Sequence, residues 1–171
     1  IQALLRVGFH TIDFGSFVSP KAIPQMQDTA ALLSALDTTA SNTKLLAIIA
    51  NVRGAKTAAA FEQIDYLGFP FSISENFQMR NTHKTIAQSE VVLKEILDIA
   101  DRKQKQVVVY LSMAFGNPYG DPWTVDIVGD WAHRLHKMGV QILSLSDTIG
   151  SSKPQSISYL FSNLITTYPA I

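Results

Sequence analysis

Cysteine is absent from all 171 residues, which excludes a disulfide framework and any thiolate zinc site within them. No apolar run reaches the length of a membrane span. An excess of either charge is also missing. Fourteen basic residues balance fourteen acidic ones, so nothing favours nucleic acid or an anionic membrane as a partner. The one basic run, Arg102-Lys103-Gln104-Lys105, reads as a helix C-terminus facing water. There is no Gly-rich phosphate loop and no serine nucleophile elbow. The chain opens at Ile1, inside a helical pattern, so the lack of a signal peptide is uninformative.

What is present is apolar. Hydrophobic residues make up 47% and charged residues only 16%, a bias produced by parallel sheets covered on both faces. Helical and strand patterns alternate from end to end, the signature of βα units. Strands are predicted at 11–15, 44–50, 69–73, 107–111 and 141–145. Helices are predicted at 1–7, 29–36, 57–67, 85–103, 123–138 and 154–167, with Gly8, Gly68 and Gly139 closing helix-to-strand joints. Residues 74–84 and 116–122 read as polar loops. One domain over 1–171 is expected. The loops that follow strands are longer and more polar than those that precede them, as in a (β/α)₈ barrel. On pattern alone a doubly wound open sheet stands as an equal alternative.

The chemistry-bearing residues gather after strands. Asp13 stands in an apolar strand, and a carboxylate buried there needs a cation, a metal or donors. Ser16, Ser19 and Lys21 crowd the same strand end. Asn51 and Arg53 end the next strand, and Glu75, Arg80 and Asn81 occupy the loop after the third. Ser112 opens a turn-rich stretch that offers donors to a polar ligand, although on composition alone a plain turn is the favoured reading. Asp147 follows the last strand, where it can accept a proton or close an Asx turn. His133 and His136 share an outer helix and are poor metal ligands. His83 is a candidate ligand contact, and His10 lies before a strand.

The segment Ser16-Phe17-Val18-Ser19-Pro20-Lys21, followed by Pro24-Gln25-Met26, closely resembles the strand-two wording of hydroxymethylglutaryl-CoA lyases. Further motifs resemble that family in the same order: Asn51-Val52-Arg53-Gly54; Ser74-Glu75 with Phe77 and Asn81; Ser112 with Ala114, Gly116, Pro118 and Tyr119; and Ser144-Leu145-Ser146-Asp147-Thr148-Ile149-Gly150. The resemblance implies a partial TIM barrel of about five βα units, strands two to six of eight, so a truncated domain is expected. It departs from the family at Asp13, where the lyases usually carry Glu, and at Ser146, where they usually carry Gly.

The same resemblance implies cleavage of 3-hydroxy-3-methylglutaryl-CoA to acetyl-CoA and acetoacetate with a divalent metal, Mg²⁺ or Mn²⁺. Asp147 and Asp13 would then be catalytic, with Ser16, Ser112, Asn51, Glu75 and Asn81 lining the acyl-CoA site. The family's metal ligands fall outside this chain, so no metal ligand is assigned, and these residues alone are expected to be inactive. An isopropylmalate or homocitrate synthase-type acyltransferase is the enzyme alternative. A non-catalytic paralogue serving as an interaction module, self-associating through its strand edges, is the other. A homo-oligomer is possible, membrane and nucleic-acid partners are not expected, and the cytoplasm is the favoured compartment.

Overall fold

The computed structural model describes residues 1–169. Five strands, β1 (Thr11–Ser16), β2 (Lys44–Ile48), β3 (Tyr66–Ser72), β4 (Gln106–Ser112) and β5 (Ile142–Leu145), alternate with seven helices. The helices are α1 (Gln2–Leu5), α2 (Thr29–Ser34), α3 (Val52–Ala58), α4 (Glu75–Thr82), α5 (Ile86–Arg102), α6 (Val125–Lys137) and α7 (Pro154–Thr167). A single 3₁₀ turn, Pro24–Met26, precedes α2. The sheet is parallel and its strands follow in the order β1-β2-β3-β4-β5. A doubly wound sheet reverses its strand order at a switch point. This order never reverses, which excludes the doubly wound alternative.

Two compact units divide the chain: Ile1–Phe69 with Glu95–Val107, and Pro70–Lys94 with Val108 onward. In the first, β2 buries Leu45, Leu46 and Ala47 in succession, the mark of a parallel strand covered on both faces. β1 alternates instead: Ile12, Phe14 and Ser16 are buried while Asp13 is exposed. Its register against β2 shifts between Asp13 and Gly15, leaving Phe14 as a bulge. α3 starts at Asn51, whose side chain accepts the Gly54 N–H at 2.9 Å. A Cβ on Gly54 would lie 2.5 Å from the Phe17 carbonyl oxygen, so only glycine lets the helix and the β1 loop meet. Phe17 also packs on Phe61, with ring centroids 5.5 Å apart.

The predicted helix at 57–67 is therefore displaced. The Asn51 cap sets its start earlier, and it ends at Ala58. Gly68 is no helix stop; it sits inside β3, in register with Ile48. The predicted loop at 74–84 holds α4. Ser74 caps it by accepting the Phe77 N–H at 3.1 Å, Glu75 lies in its first turn, and His83 ends it at φ 55°.

In the second unit α6 buries Val128, Ala132 and Leu135, one face at helical spacing. Gly139 ends it at φ 98°, and the Val140 N–H returns to the Leu135 carbonyl at 3.1 Å. Arg134 forms a bidentate pair with Glu90, one arm at 2.6 Å. α5 opens on a reciprocal cap: Thr85 accepts the Gln88 N–H at 3.1 Å, and Gln88 accepts the Thr85 N–H at 2.9 Å.

Gly54→Ala should destabilise the protein by about 1–3 kcal/mol through the clash with a backbone oxygen. Gly129→Ala meets no atom within 4 Å, and inside α6 it should stabilise by about 0.5–1 kcal/mol. Urea midpoints for the two variants check both signs.

Candidate functional site

The first unit brings Ser16 and Asn51 to the ends of two adjacent strands, whereas Asp13 lies in the middle of β1, in register with Leu46. Asp13, expected to be a buried carboxylate, is exposed on the face of β1 opposite Ile12; strand alternation, not desolvation, governs it. Ser16 is buried, and its hydroxyl donates to the Ile48 carbonyl at 3.3 Å. Its backbone N–H donates to Thr29 Oγ1 at 3.2 Å, and the Thr29 hydroxyl donates to the Met26 carbonyl at 2.8 Å. A Cβ on Gly15 would stand 2.6 Å from the Thr29 methyl, so Gly15 lets Thr29 clasp the strand end. Around Ser16 lies a cleft of ≈ 330 Å³ that includes Phe17, Met26, Thr29, Arg53 and Thr57. Arg53, which lines it, is exposed, and so is Lys21, which is not among its lining residues.

The second unit carries Ser112, Glu75, Asn81 and Asp147. Ser112 closes β4 and is buried; its carbonyl accepts the Ile73 N–H and the Ser72 hydroxyl, each at 3.3 Å. Met113 follows in a left-handed conformation at φ 63° although fully buried, a geometry that costs a side-chain-bearing residue on the order of 1–3 kcal/mol. Its N–H donates to Thr148 Oγ1 at 2.8 Å. The Ser151 hydroxyl donates to the Phe115 carbonyl at 2.9 Å. Together these bonds tie the loop after β5 to the loop after β4. Asp147 sits in that tie and accepts the Ser151 N–H at 2.8 Å and the Ser152 N–H at 3.1 Å.

Hydrogen bonding from the Ser152 side chain, then from the Ser151, Ser152 and Gly150 backbone, holds the Asp147 carboxyl below its ordinary value. The carboxylate is thus engaged in closing its own loop. Glu75 is likewise engaged: it accepts the Ile86 N–H at 3.1 Å and caps α5. Asn81 is exposed on α4.

Asp121 was missed among the turn formers at 116–122. Its carboxylate accepts the Ser74 hydroxyl, the Asn76 side-chain amide at 2.6 Å and the Asn76 N–H at 3.1 Å. The Ser74 bond first, then those from Asn76, pull its pKa below the usual value. Asn117 braces the same loop, accepting the N–H groups of Tyr119 and Asp121. The Asn-Pro-Tyr-Gly-Asp wording signals the turn, but nothing in it points to the distant Ser74.

Among the described residues no group of three or more His, Cys, Asp or Glu could hold a metal ion. The residues present therefore do not fit the multi-oxygen donor set that a divalent cation requires. His133 meets the Tyr168 hydroxyl at 2.6 Å, and His136 packs on the same ring at 4.9 Å.

The sequence profile of the HMGL-like family matches residues 1–171. The chain is 30% identical over 170 residues to the hydroxymethylglutaryl-CoA lyase YngG of Bacillus subtilis, covering 99% of this chain and 56% of that protein. It is 30% identical over 172 residues to the cytoplasmic 3-hydroxy-3-methylglutaryl-CoA lyase of Danio rerio, covering 99% and 50%. Its structure superposes on the B. subtilis HMG-CoA lyase with a TM-score of 0.89 at 28% identity, over 98% of this chain and 56% of that one. The A. baumannii HMG-CoA lyase, solved in complex with coenzyme A and 3-methylmalate, gives 0.88 at 26% identity, over 97% and 53%. The chain thus spans about half the length of the relatives it matches, and its five parallel strands align to about half of their TIM barrels.

The depressed Asp121 and Asp147 carboxyls contribute stability that is complete above the unfolded value of 3.8 and is lost as pH falls through the lower folded values. Thermal melting followed from roughly pH 5 down to roughly pH 2 should show a falling Tm. Asp121→Asn should flatten that fall, and an unchanged acid slope would refute the clamp.

Proposed function

The chain belongs to the HMGL-like family, and from that premise we propose that it forms part of a carbon–carbon lyase acting on 3-hydroxy-3-methylglutaryl-CoA. The carrying observation is that the alignment to HMG-CoA lyases runs through 99% of the chain. The reaction needs a group that takes the proton of the tertiary hydroxyl. That carbon becomes the ketone of acetoacetate, and the electrons of the broken carbon–carbon bond pass to acetyl-CoA as an enolate, which then takes up a proton. Asp147 is our candidate acceptor. It accepts the Ser151 and Ser152 amides and, as a carboxylate lowered from an ordinary value of 3.8, is ionised at neutral pH, as the acceptor must be at the start. The same bonds make it a weaker base.

Ser16 and Arg53 line the cleft at the β1 end, and we assign that cleft to the acyl-CoA, with the guanidinium meeting a phosphate. Ser112, Asn51, Glu75 and Asn81 are carried as lining residues by the resemblance alone. The divalent metal on which family members depend would take its ligands from outside the described residues, since no donor set exists within them. Accordingly, these 171 residues are proposed to lack turnover by themselves.

One observation favours a second reading, a self-associating module. Helix α7 has no charged residue, yet Ile157, Phe161 and Ile165, spaced one turn apart, are 38%, 43% and 64% exposed. Concentration-dependent light scattering without coenzyme A binding would support that reading over the first.

Incubating the purified chain with the thioester and Mg²⁺ or Mn²⁺ should release no acetoacetate; release would overturn the inactivity. Coenzyme A titrated into the labelled chain should shift the amides around Ser16 and Arg53. Arg53→Ala should weaken that binding about tenfold, or ~1.4 kcal/mol. Shifts that ignore the substitution would remove the cleft from the substrate site.

A further inference from the structure

At the opposite end of β2, about 13 Å along the strand from Ile48 at a rise of about 3.3 Å per residue, the first unit has a second cleft. Its volume is ≈ 420 Å³, and its lining includes Asn42, Thr43, Lys44, Glu62, Gln63 and Asp65. This cleft opens before the strands, where the proposed lyase chemistry places nothing. Its walls carry one cation, Lys44, and two carboxylates, Glu62 and Asp65. The Lys44 ammonium meets Asp65 Oδ1 at 3.0 Å, and the second Asp65 oxygen accepts the Leu45 N–H at 2.9 Å. The Lys105 ammonium donates to the Glu62 carbonyl at 3.1 Å. Asp65 is thus already paired with Lys44, and the surplus carboxylate of Glu62 repels anions.

Hydrogen-bonding capacity, by contrast, is left over. The exposed carboxamides of Asn42 and Gln63 make no side-chain hydrogen bond among the described residues and face water. Each amide offers both donors and an acceptor. Thr43 is only 8% exposed, and its hydroxyl oxygen is buried without a hydrogen-bond partner. A buried hydroxyl without a partner is destabilising, and native proteins rarely keep one without a reason.

We propose that this cleft binds a small neutral ligand rich in hydroxyl groups, a polyol or a sugar. The Asn42 and Gln63 carboxamides grip neighbouring hydroxyls, each giving and receiving a bond. The Glu62 carboxylate accepts another. Thr43 turns about its side-chain torsion so that its hydroxyl reaches the ligand. An anion is disfavoured by Glu62 and Asp65, and a cation competes with Lys44 for Asp65.

The test titrates sorbitol and D-glucose into the isotopically labelled chain, with glycine and inorganic phosphate as charged probes. The neutral probes should shift the Asn42, Thr43 and Gln63 signals at millimolar concentration, and the charged probes should not. Gln63→Ala should weaken binding by about tenfold, as loss of one good hydrogen bond does. Thr43→Val, nearly identical in shape, should raise Tm in buffer and also weaken sorbitol binding. A rise in Tm with sorbitol binding unchanged would make Thr43 an ordinary orphan and overturn the proposal. So would shifts from the charged probes alone, or none at all. These readouts do not involve coenzyme A or lyase activity, so the site stands or falls separately from the proposed function.

Discussion

Between each strand and the helix that follows, backbone N–H groups of the loop and of the first helical turn have no partner in sheet or helix, and a buried or half-buried N–H without an acceptor is costly. In this chain short polar side chains supply those acceptors. Thr29 takes the Ser16 N–H, Asn51 takes that of Gly54, Ser72 that of Ser74, and Ser74 that of Phe77. Thr148 takes the Met113 N–H, and Asp147 takes those of Ser151 and Ser152. The strand-end loops have definite shapes because these bonds exist. The glycines at positions 15 and 54 follow from the same requirement, since any Cβ would push the partners apart.

This constraint explains why residues with a catalytic appearance have structural partners. Asn51 is a helix cap, Glu75 caps the start of α5, and Asp147 closes its own loop. Neither role excludes contact with a ligand, because an engaged carboxylate retains further acceptor sites. A side chain already held by two amides is also oriented, and orientation is what a reacting group needs. The loops at the strand ends are thereby organised before any substrate arrives.

The strands were largely legible as five apolar runs separated by helical spacing. Their order was not legible from that pattern, which fits a doubly wound sheet equally, and only the family resemblance favoured the barrel order. The last helix was legible to the residue, since Pro154 marks its first turn. α4 was not, because its polar composition hides the periodicity, although Ser74 followed by Glu75 was a readable start. α3 was misplaced because alanines give little contrast, while the Asn51 cap outweighs them. Asp13 was read as buried from its apolar neighbours, whereas alternation along the strand turns it outward. Asp121 could not be found at all: its partners lie 45 and 47 residues away in sequence, and only folding brings them together.

Native-state hydrogen exchange of the amides of Gly54, Phe77, Met113 and Ser151 tests this account most directly. If side-chain acceptors hold the strand-end loops, these four amides exchange with protection comparable to that of β2 and β4. Exchange at the rate of open surface loops, with only the strands protected, would contradict it.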